Sequence, residues 1–164
     1  MDIKNLRVGN GVDFHKFDSI EGDFFIPVGG ILIPFKRRVL AHSDGDVVLH
    51  SICDAIFGAI GNGNIGYHFP PSDKKWKDAN SQLFLEYANN LLTQKGFLIN
   101  VDVTVICEQP KIMPFANEIK NNICNILNAG EDKISIKAVT SEKMGFLGRG
   151  EGIGAIATSL ICLE

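Results

Sequence analysis

The stretch AHSDGDVVLHSICDAIFGAIG, residues 41–61, is the most informative part of the chain, because it combines a helix start, an apolar repeat and a helix stop. Ser43 is the predicted N-cap, and Asp44 and Asp46 follow where the helix dipole favours negative charge. Apolar residues then recur at helical spacing from Val48 to Ala59, and glycines at positions 61 and 63 end the run. We therefore expect a buried first helix.

Strands precede this helix. Residues 6–16 alternate loosely between apolar and polar side chains and predict a strand that Gly9 and Gly11 interrupt. Two short apolar runs, residues 24–28 and 30–33, flank Gly29-Gly30, which is typical of a hairpin turn.

Two more helices and three more strands follow a polar loop over residues 62–80. The second helix starts after Asn80 or Ser81, and the third opens at Pro114 and is terminated by Gly130. Alternating or continuous apolar runs predict strands over residues 101–105, 134–140 and 153–163. The pattern favours one domain over residues 1–164, an α/β (α+β) two-layer sandwich whose mixed sheet carries helices on one face.

Composition narrows the function. The 164 residues are 45% apolar with a net charge of −3, which supports a globular core and disfavours a general nucleic-acid binder. The four cysteines lie far apart among apolar neighbours, so we expect buried free thiols in a reducing compartment. No secretory signal or membrane-spanning run is evident, and we expect a soluble intracellular protein without a membrane partner.

A metal centre is suggested by Asp13-x-His15 together with His50. Residues two apart on a strand point the same way, so Asp13 and His15 can face one ion. Two imidazoles and a carboxylate suit zinc and leave a fourth position open. Asp46 and Asp54 each lie one helical turn from His50, and either could accept its other N–H. Asp-x-His pairs also occur without a metal, so this pattern alone is weak.

Two further segments carry polar groups. His42 to Asp46 precedes the predicted helix, where free N–H groups favour anions, although a capped helix with a surface histidine explains it equally well. Residues 137–143 end a strand with Thr140 and Glu142, which could hold a phosphate oxygen and magnesium. The glycines at 145–152 could instead form a flexible hairpin, and their spacing is not that of a P-loop.

Taken together, five segments resemble the 2-C-methyl-D-erythritol 2,4-cyclodiphosphate synthase family in order and spacing over essentially the whole chain. They are GVDFHKF from residue 11, the stretch at 41–61, NIGYHFPPSD from 64, EQPKI from 108 and TSEKMGFLGRGEGI from 140. The resemblance implies conversion of 4-diphosphocytidyl-2-C-methyl-D-erythritol 2-phosphate to the cyclic 2,4-diphosphate with release of CMP, in the non-mevalonate isoprenoid-precursor pathway.

The resemblance also implies the site residues. Zinc ligands would be Asp13, His15 and His50, Glu142 would hold Mg²⁺ or Mn²⁺ at the substrate diphosphate, and the catalytic residues would be His42 and Thr140. The substrate-binding residues would be Asp13, His15, His42, Ser43, Asn64, Ile65, Gly66, Phe69, Asp73, Cys107, Pro110, Lys111, Ile112, Met113, Thr140, Glu142, Phe146 and Arg149. Residues 107–113 would enclose the cytidine, and residues 64–66 and 69–73 would line the methylerythritol side, with residues 64–66 as its sugar-binding loop.

Assembly is implied by resemblance as well: a cyclic homotrimer with active sites between subunits and a central cavity, lined by Phe146, Arg149 and Glu151, for a hydrophobic isoprenoid ligand. The expected location is the bacterial cytoplasm, or a plastid-type organelle if a targeting segment was removed. One departure is Asn64, where many family members carry Asp. Two rival hypotheses remain, a zinc hydrolase with Glu142 as base and a trimeric binding protein without catalysis.

Overall fold

The computed structural model describes residues 2–164, and its centre is one five-stranded mixed sheet of order β2-β1-β5-β3-β4. The strands are β1 Leu6–Val28, β2 Ile31–Leu40, β3 Gly96–Ile106, β4 Ile134–Val139 and β5 Gly152–Leu163. The helices are α1 Val47–Ala59, α2 Ile65–His68, α3 Gln82–Thr93, α4 Ala116–Leu127 and α5 Gly145–Gly148. Within residues 2–164 only β3 and β4 pair in parallel, which makes the sheet mixed, and the predicted fold class is confirmed.

The β1–β2 hairpin turns where it was predicted. Val28 pairs with Ile31, leaving Gly29 and Gly30 as a two-residue loop with φ of +62° and +79°. Two successive positive φ values define the turn that matches the twist of paired strands, and glycine adopts them at little cost. The sequence signal was therefore local and sufficient.

The strand over residues 6–16 is continuous, so the predicted interruption at Gly9 and Gly11 is wrong. A Cβ atom at Gly9 would lie 1.8 Å from the Ala55 carbonyl oxygen, and one at Gly11 would lie 1.9 Å from that of Ser51. These glycines therefore let the backbone of α1 lie directly on β1. Glycine within a strand marks a close backbone approach here, as it often does.

Helix α1 starts later than predicted, because Asp46 and not Ser43 is its N-cap. The Asp46 side chain accepts hydrogen bonds from the backbone N–H groups of Val48 and Leu49, both at 3.0 Å. It also accepts those of Gly29 at 2.9 Å and Gly30 at 2.6 Å. One buried carboxylate thus joins the helix start to the hairpin turn. Aspartate and serine cap helices about equally well, so this long-range contact decided between the two positions.

The other two long helices need smaller corrections. Helix α3 follows Ser81 as predicted, whereas Pro114 lies in a short 3₁₀ turn, Met113–Phe115, immediately before α4. Asn128 ends α4 in the left-handed conformation at φ 50°, so Gly130 is not the terminating residue. Asparagine can serve this position because its short polar side chain tolerates positive φ.

Helices α1, α3 and α4 cover one face of the sheet, and the core lies between these helices and the sheet. Val101, Val103 and Val105 of β3 are fully buried there. The opposite face leaves apolar side chains in solvent, including Val8 at 66% and Phe14 at 44% exposure. All four cysteines are buried and free, as expected. Between residues 2 and 164, none of the helices has the length and apolar character of a membrane crossing.

Candidate metal centre and adjoining clefts

The three predicted zinc ligands converge. Asp13 and His15 lie on one side of β1, and His50 reaches them from the first turn of α1. The Oδ2 atom of Asp13 lies 3.0 Å from Nε2 of His15 and 2.9 Å from Nδ1 of His50, while the two ring nitrogens are 3.3 Å apart. One donor atom from each residue lies within 4.8 Å of the others. This arrangement can hold a single ion.

The electrostatics suit a cation. Burial opposes ionisation of Asp13, but hydrogen bonds and charge from His15 and His50 outweigh it and hold the pKa of Asp13 well below its usual range. Burial also disfavours the charged form of His50, yet the hydrogen bond to Asp13 and the charges of Asp13, Asp46 and Asp44 together outweigh burial and raise the pKa of His50. The cluster therefore carries an ionised carboxylate that favours positive charge beside it.

The second nitrogen of His50 is held by a hydroxyl, so the predicted partners Asp46 and Asp54 are wrong. His50 Nε2 lies 2.7 Å from Ser81 Oγ and 3.2 Å from Ser43 Oγ. Because the Ser81 hydroxyl donates to Asp44, its oxygen is left to accept the His50 Nε2–H. With Nε2–H donating to Ser81, Nδ1 is the nitrogen left to bind a metal, which would replace the proton that Nδ1 donates to Asp13 when His50 is protonated.

A cleft of about 200 Å³ opens around this centre. Eight predicted residues line it, namely Asp13, His15, His42, Ser43, His50, Ile65, Gly66 and Phe69. Pro71 lies within the predicted range 69–73, whereas sequence reasoning missed two further apolar lining residues, Trp76 and Phe84. The last two pack around Phe69, whose ring centroid lies 4.9 Å from that of Trp76 and 4.4 Å from that of Phe84. Such tertiary packing leaves no local signal in the sequence.

The predicted sugar-binding loop lies at the edge of the same cleft. Asn64 caps α2, since its Oδ1 accepts the Tyr67 N–H at 3.0 Å. Asp54 Oδ1 accepts the Ile65 N–H at 2.6 Å, which ties the loop to α1. Asp73 caps the short 3₁₀ turn that begins at Lys74 and does not line the cleft. The loop is thus held by carboxylates and by one amide oxygen.

A second cleft lies beyond the end of β3. It contains the predicted residues Cys107, Pro110, Lys111, Ile112, Met113 and Thr140, and also Ala138 and Val139, which were not predicted. It shares no lining residue with the metal cleft. Burial raises the pKa of the Cys107 thiol to about 11, so this side chain is neutral in the cleft. Its apolar lining suits the heterocyclic ring of a nucleotide base more than a phosphate group.

The remaining predicted residues lie close to β4 and β5. Thr140 Oγ1 donates to the Glu142 carboxylate at 2.8 Å, so the two are presented together at the end of β4. Phe146 packs edge-on against Phe14 with ring centroids 5.7 Å apart, on the open side of the sheet. Arg149 is exposed and bonds Glu151 at 2.6 Å. Glu142, Phe146 and Arg149 lie outside both clefts.

Known proteins resemble this chain in sequence and in fold. The family model described as the YgbB family matches residues 6–162. A protein of Ehrlichia canis (strain Jake) named 2-C-methyl-D-erythritol 2,4-cyclodiphosphate synthase is 52% identical over 163 residues, covering 97% of this chain and 94% of the relative.

Two solved structures are similar as well. A structure described as IspF (Plasmodium falciparum) in complex with CDP has a TM-score of 0.86 and 36% identity, covering 99% of both chains. The bifunctional IspDF from Campylobacter jejuni has a TM-score of 0.90 and 37% identity, covering 97% of this chain but 42% of that one.

Fold, side-chain cluster and relatives together define an enzyme whose cleft contains a candidate set of metal ligands. The chain belongs to the YgbB family, whose relatives at about half identity are 2-C-methyl-D-erythritol 2,4-cyclodiphosphate synthases.

Proposed function

We propose that this protein converts 4-diphosphocytidyl-2-C-methyl-D-erythritol 2-phosphate to 2-C-methyl-D-erythritol 2,4-cyclodiphosphate and CMP, as a phosphorus–oxygen lyase of the non-mevalonate pathway. The observation that carries the proposal is the convergence of Asp13, His15 and His50 inside a cleft, in a chain of this family. The relative from Ehrlichia canis is bacterial, which supports a bacterial cytoplasmic enzyme.

The donor set fits zinc, since two imidazoles and one carboxylate converge and the neutral His50 tautomer is supported by Ser81. Glu142, exposed beside Thr140, is a hard oxygen donor suited to Mg²⁺ or Mn²⁺ at the substrate diphosphate. When bound, the two ions supply Lewis acidity and neutralise phosphate charge.

The substrate carries its own nucleophile, so the protein has to position it. An oxygen of the 2-phosphate attacks the β-phosphorus, the bond from that phosphorus to the bridging oxygen breaks, and CMP leaves with the bridging oxygen. His42 and Ser43, at the wall of the metal cleft, would orient the 2-phosphate, and Thr140 would donate to the diphosphate. Positioning and charge stabilisation account for most of the catalysis in such transfers.

A cyclic homotrimer would complete each site. The metal cleft and the cleft at Cys107 to Thr140 are separate on one chain, which supports their meeting across a subunit boundary. The apolar sheet face bearing Val8 and Phe14 supports burial against other subunits, with Phe146 and Arg149 near a central cavity for a hydrophobic isoprenoid ligand.

Phosphorus NMR of the products tests the proposal against its rivals. We expect the cyclic diphosphate and CMP in equal amounts from zinc-loaded protein with Mg²⁺, and neither product from the His50→Ala variant. Linear hydrolysis products would instead indicate a zinc hydrolase. Tight binding of the substrate without turnover would indicate a binding protein, and either result would overturn the proposed reaction.

A further inference from the structure

The turn that carries Glu142 is strained. Glu142 and Lys143 both adopt the left-handed conformation, at φ of 52° and 61°. For residues other than glycine this conformation costs on the order of 1–2 kcal/mol each, so surrounding contacts must hold it in place. The turn is also exposed at both residues, which means that core packing does not supply those contacts.

A single carboxylate holds the turn from another loop. Oε1 of Glu108 accepts the backbone N–H of Ser141 at 3.2 Å and that of Lys143 at 3.1 Å. These two N–H groups flank Glu142 and converge on one anion, as backbone amides in such turns do. Glu108 is half-buried, so its bonds are partly shielded from water.

Glu108 also belongs to the second cleft's own loop. It follows Cys107, whose N–H donates to the Val139 carbonyl at 3.2 Å, and its own carbonyl oxygen lies 3.4 Å from the Lys111 ammonium. The carboxylate therefore links the loop that lines the second cleft to the turn that presents Glu142 and Thr140.

We propose that Glu108 is a positioning residue. Its carboxylate locks the left-handed turn at 141–143 and so couples ligand binding in the second cleft to cation binding at Glu142. This inference rests on the proposed function for the ligands it names. The coupling is reciprocal: the cation strengthens ligand binding in the cleft by the same free energy by which the ligand strengthens cation binding.

Amide hydrogen exchange tests the link between the loops without any ligand. In Glu108→Ala the N–H groups of Ser141 and Lys143 lose their acceptor, so exchange across residues 140–144 should be faster than in wild type. Glu108→Gln keeps one carbonyl oxygen for both N–H groups and should exchange like wild type. Glu118→Ala, an exposed change on α4, is the matched control. Unchanged exchange in Glu108→Ala would overturn the proposal.

Calorimetry on the zinc-loaded protein tests the coupling, with cytidine and CDP as probes, each with and without Mg²⁺. We expect Glu108→Ala to weaken CDP binding in Mg²⁺ by about 10-fold or more, the usual loss when the support of a metal ligand is removed. Cytidine binding should change little, and Glu108→Gln should restore most of the CDP affinity. Faster exchange with unaltered CDP affinity in Mg²⁺ would refute the coupling.

The wild-type protein separates this inference from the proposed function. If it fails to bind CDP in Mg²⁺, the proposed nucleotide chemistry is wrong and the coupling is wrong with it. The exchange measurement then still decides whether Glu108 holds the turn. If wild type binds CDP and only the Glu108→Ala result disagrees, the error lies in the inference alone.

Discussion

His50 belongs to a hydrogen-bonded chain that runs through the Ser81 hydroxyl to the Asp44 carboxylate. The chain selects the His50 tautomer with Nδ1 free toward Asp13 and His15. We expect His50→Ala to lose zinc altogether while remaining folded, because two ligands hold zinc weakly. We expect Ser81→Ala to lower zinc affinity by about 10- to 100-fold, the range typical for partners of metal ligands.

Zinc titration with a competing chelator measures this effect, and circular dichroism verifies the fold. Ser72→Ala is the control, since Ser72 is exposed in the loop that precedes α3. A Ser81→Ala protein with wild-type zinc affinity would contradict the role of this hydroxyl.

Asn64 is the residue that departs from its family. Its Oδ1 caps α2 by accepting the Tyr67 N–H, and an aspartate oxygen can do the same. We expect Asn64→Asp to retain the fold and to change KM more than kcat, as a uniform binding contact does. Steady-state kinetics on the proposed substrate measure this split.

Asn64→Ala provides the contrast, because it removes the cap and should cost about 1 kcal/mol of stability. Complete loss of activity in Asn64→Asp, with the fold intact, would show that the loop does not tolerate a charge and that its assigned role is wrong.

Among the secondary-structure elements, α1 and the β1–β2 hairpin are joined through Asp46. Its buried carboxylate serves four backbone N–H groups, those of Gly29, Gly30, Val48 and Leu49. Asp46→Ala leaves these donors without an acceptor, so we expect a loss of at least ~3 kcal/mol of unfolding free energy. Urea denaturation at one fixed protein concentration measures it.

Asp46→Asn refines this prediction. The amide retains one oxygen acceptor, but its NH₂ group replaces the other carboxylate oxygen and faces a backbone N–H that needs an acceptor. Stability should therefore fall between wild type and Asp46→Ala. Asp23→Ala, an exposed acidic residue of β1, should unfold like wild type. Equal stability of all three variants would refute the joining role of Asp46.

For the whole molecule, the separate clefts predict complementation between inactive variants. Mixing equal amounts of His50→Ala and Glu142→Ala and refolding them together should form trimers at random. A site works when its zinc side comes from the Glu142 variant and its other side from the His50 variant. In a closed heterologous ring, about a quarter of sites meet that condition, so about a quarter of wild-type activity should return.

Each variant refolded alone is the control and should stay inactive. Sedimentation verifies the trimer in every sample. A mixture that sediments as a trimer yet remains as inactive as its parents would show that each site lies within one subunit.

The amino-acid sequence predicted the features that depend on near neighbours. Asp13 and His15 share one side of β1 because strand side chains alternate, and Gly29-Gly30 turns the hairpin because glycine accepts positive φ. The helices and the mixed sheet followed from periodicities that act over a few residues. Residue chemistry suggested His50 as the third ligand only weakly, because His50 lies far from Asp13 and His15 in the sequence, and the family resemblance supported the assignment.

The tertiary structure decided which distant groups meet. His50 is held by Ser81, 31 positions away, and not by the acidic residues one helical turn from it. Asp46 caps α1 because the hairpin places Gly29 and Gly30 beside it, and Glu108 reaches the turn at Lys143 across 35 positions. Side-chain hydrogen bonds between distant elements have no preferred spacing along the chain, so only the packed sheet and helices determine these partners.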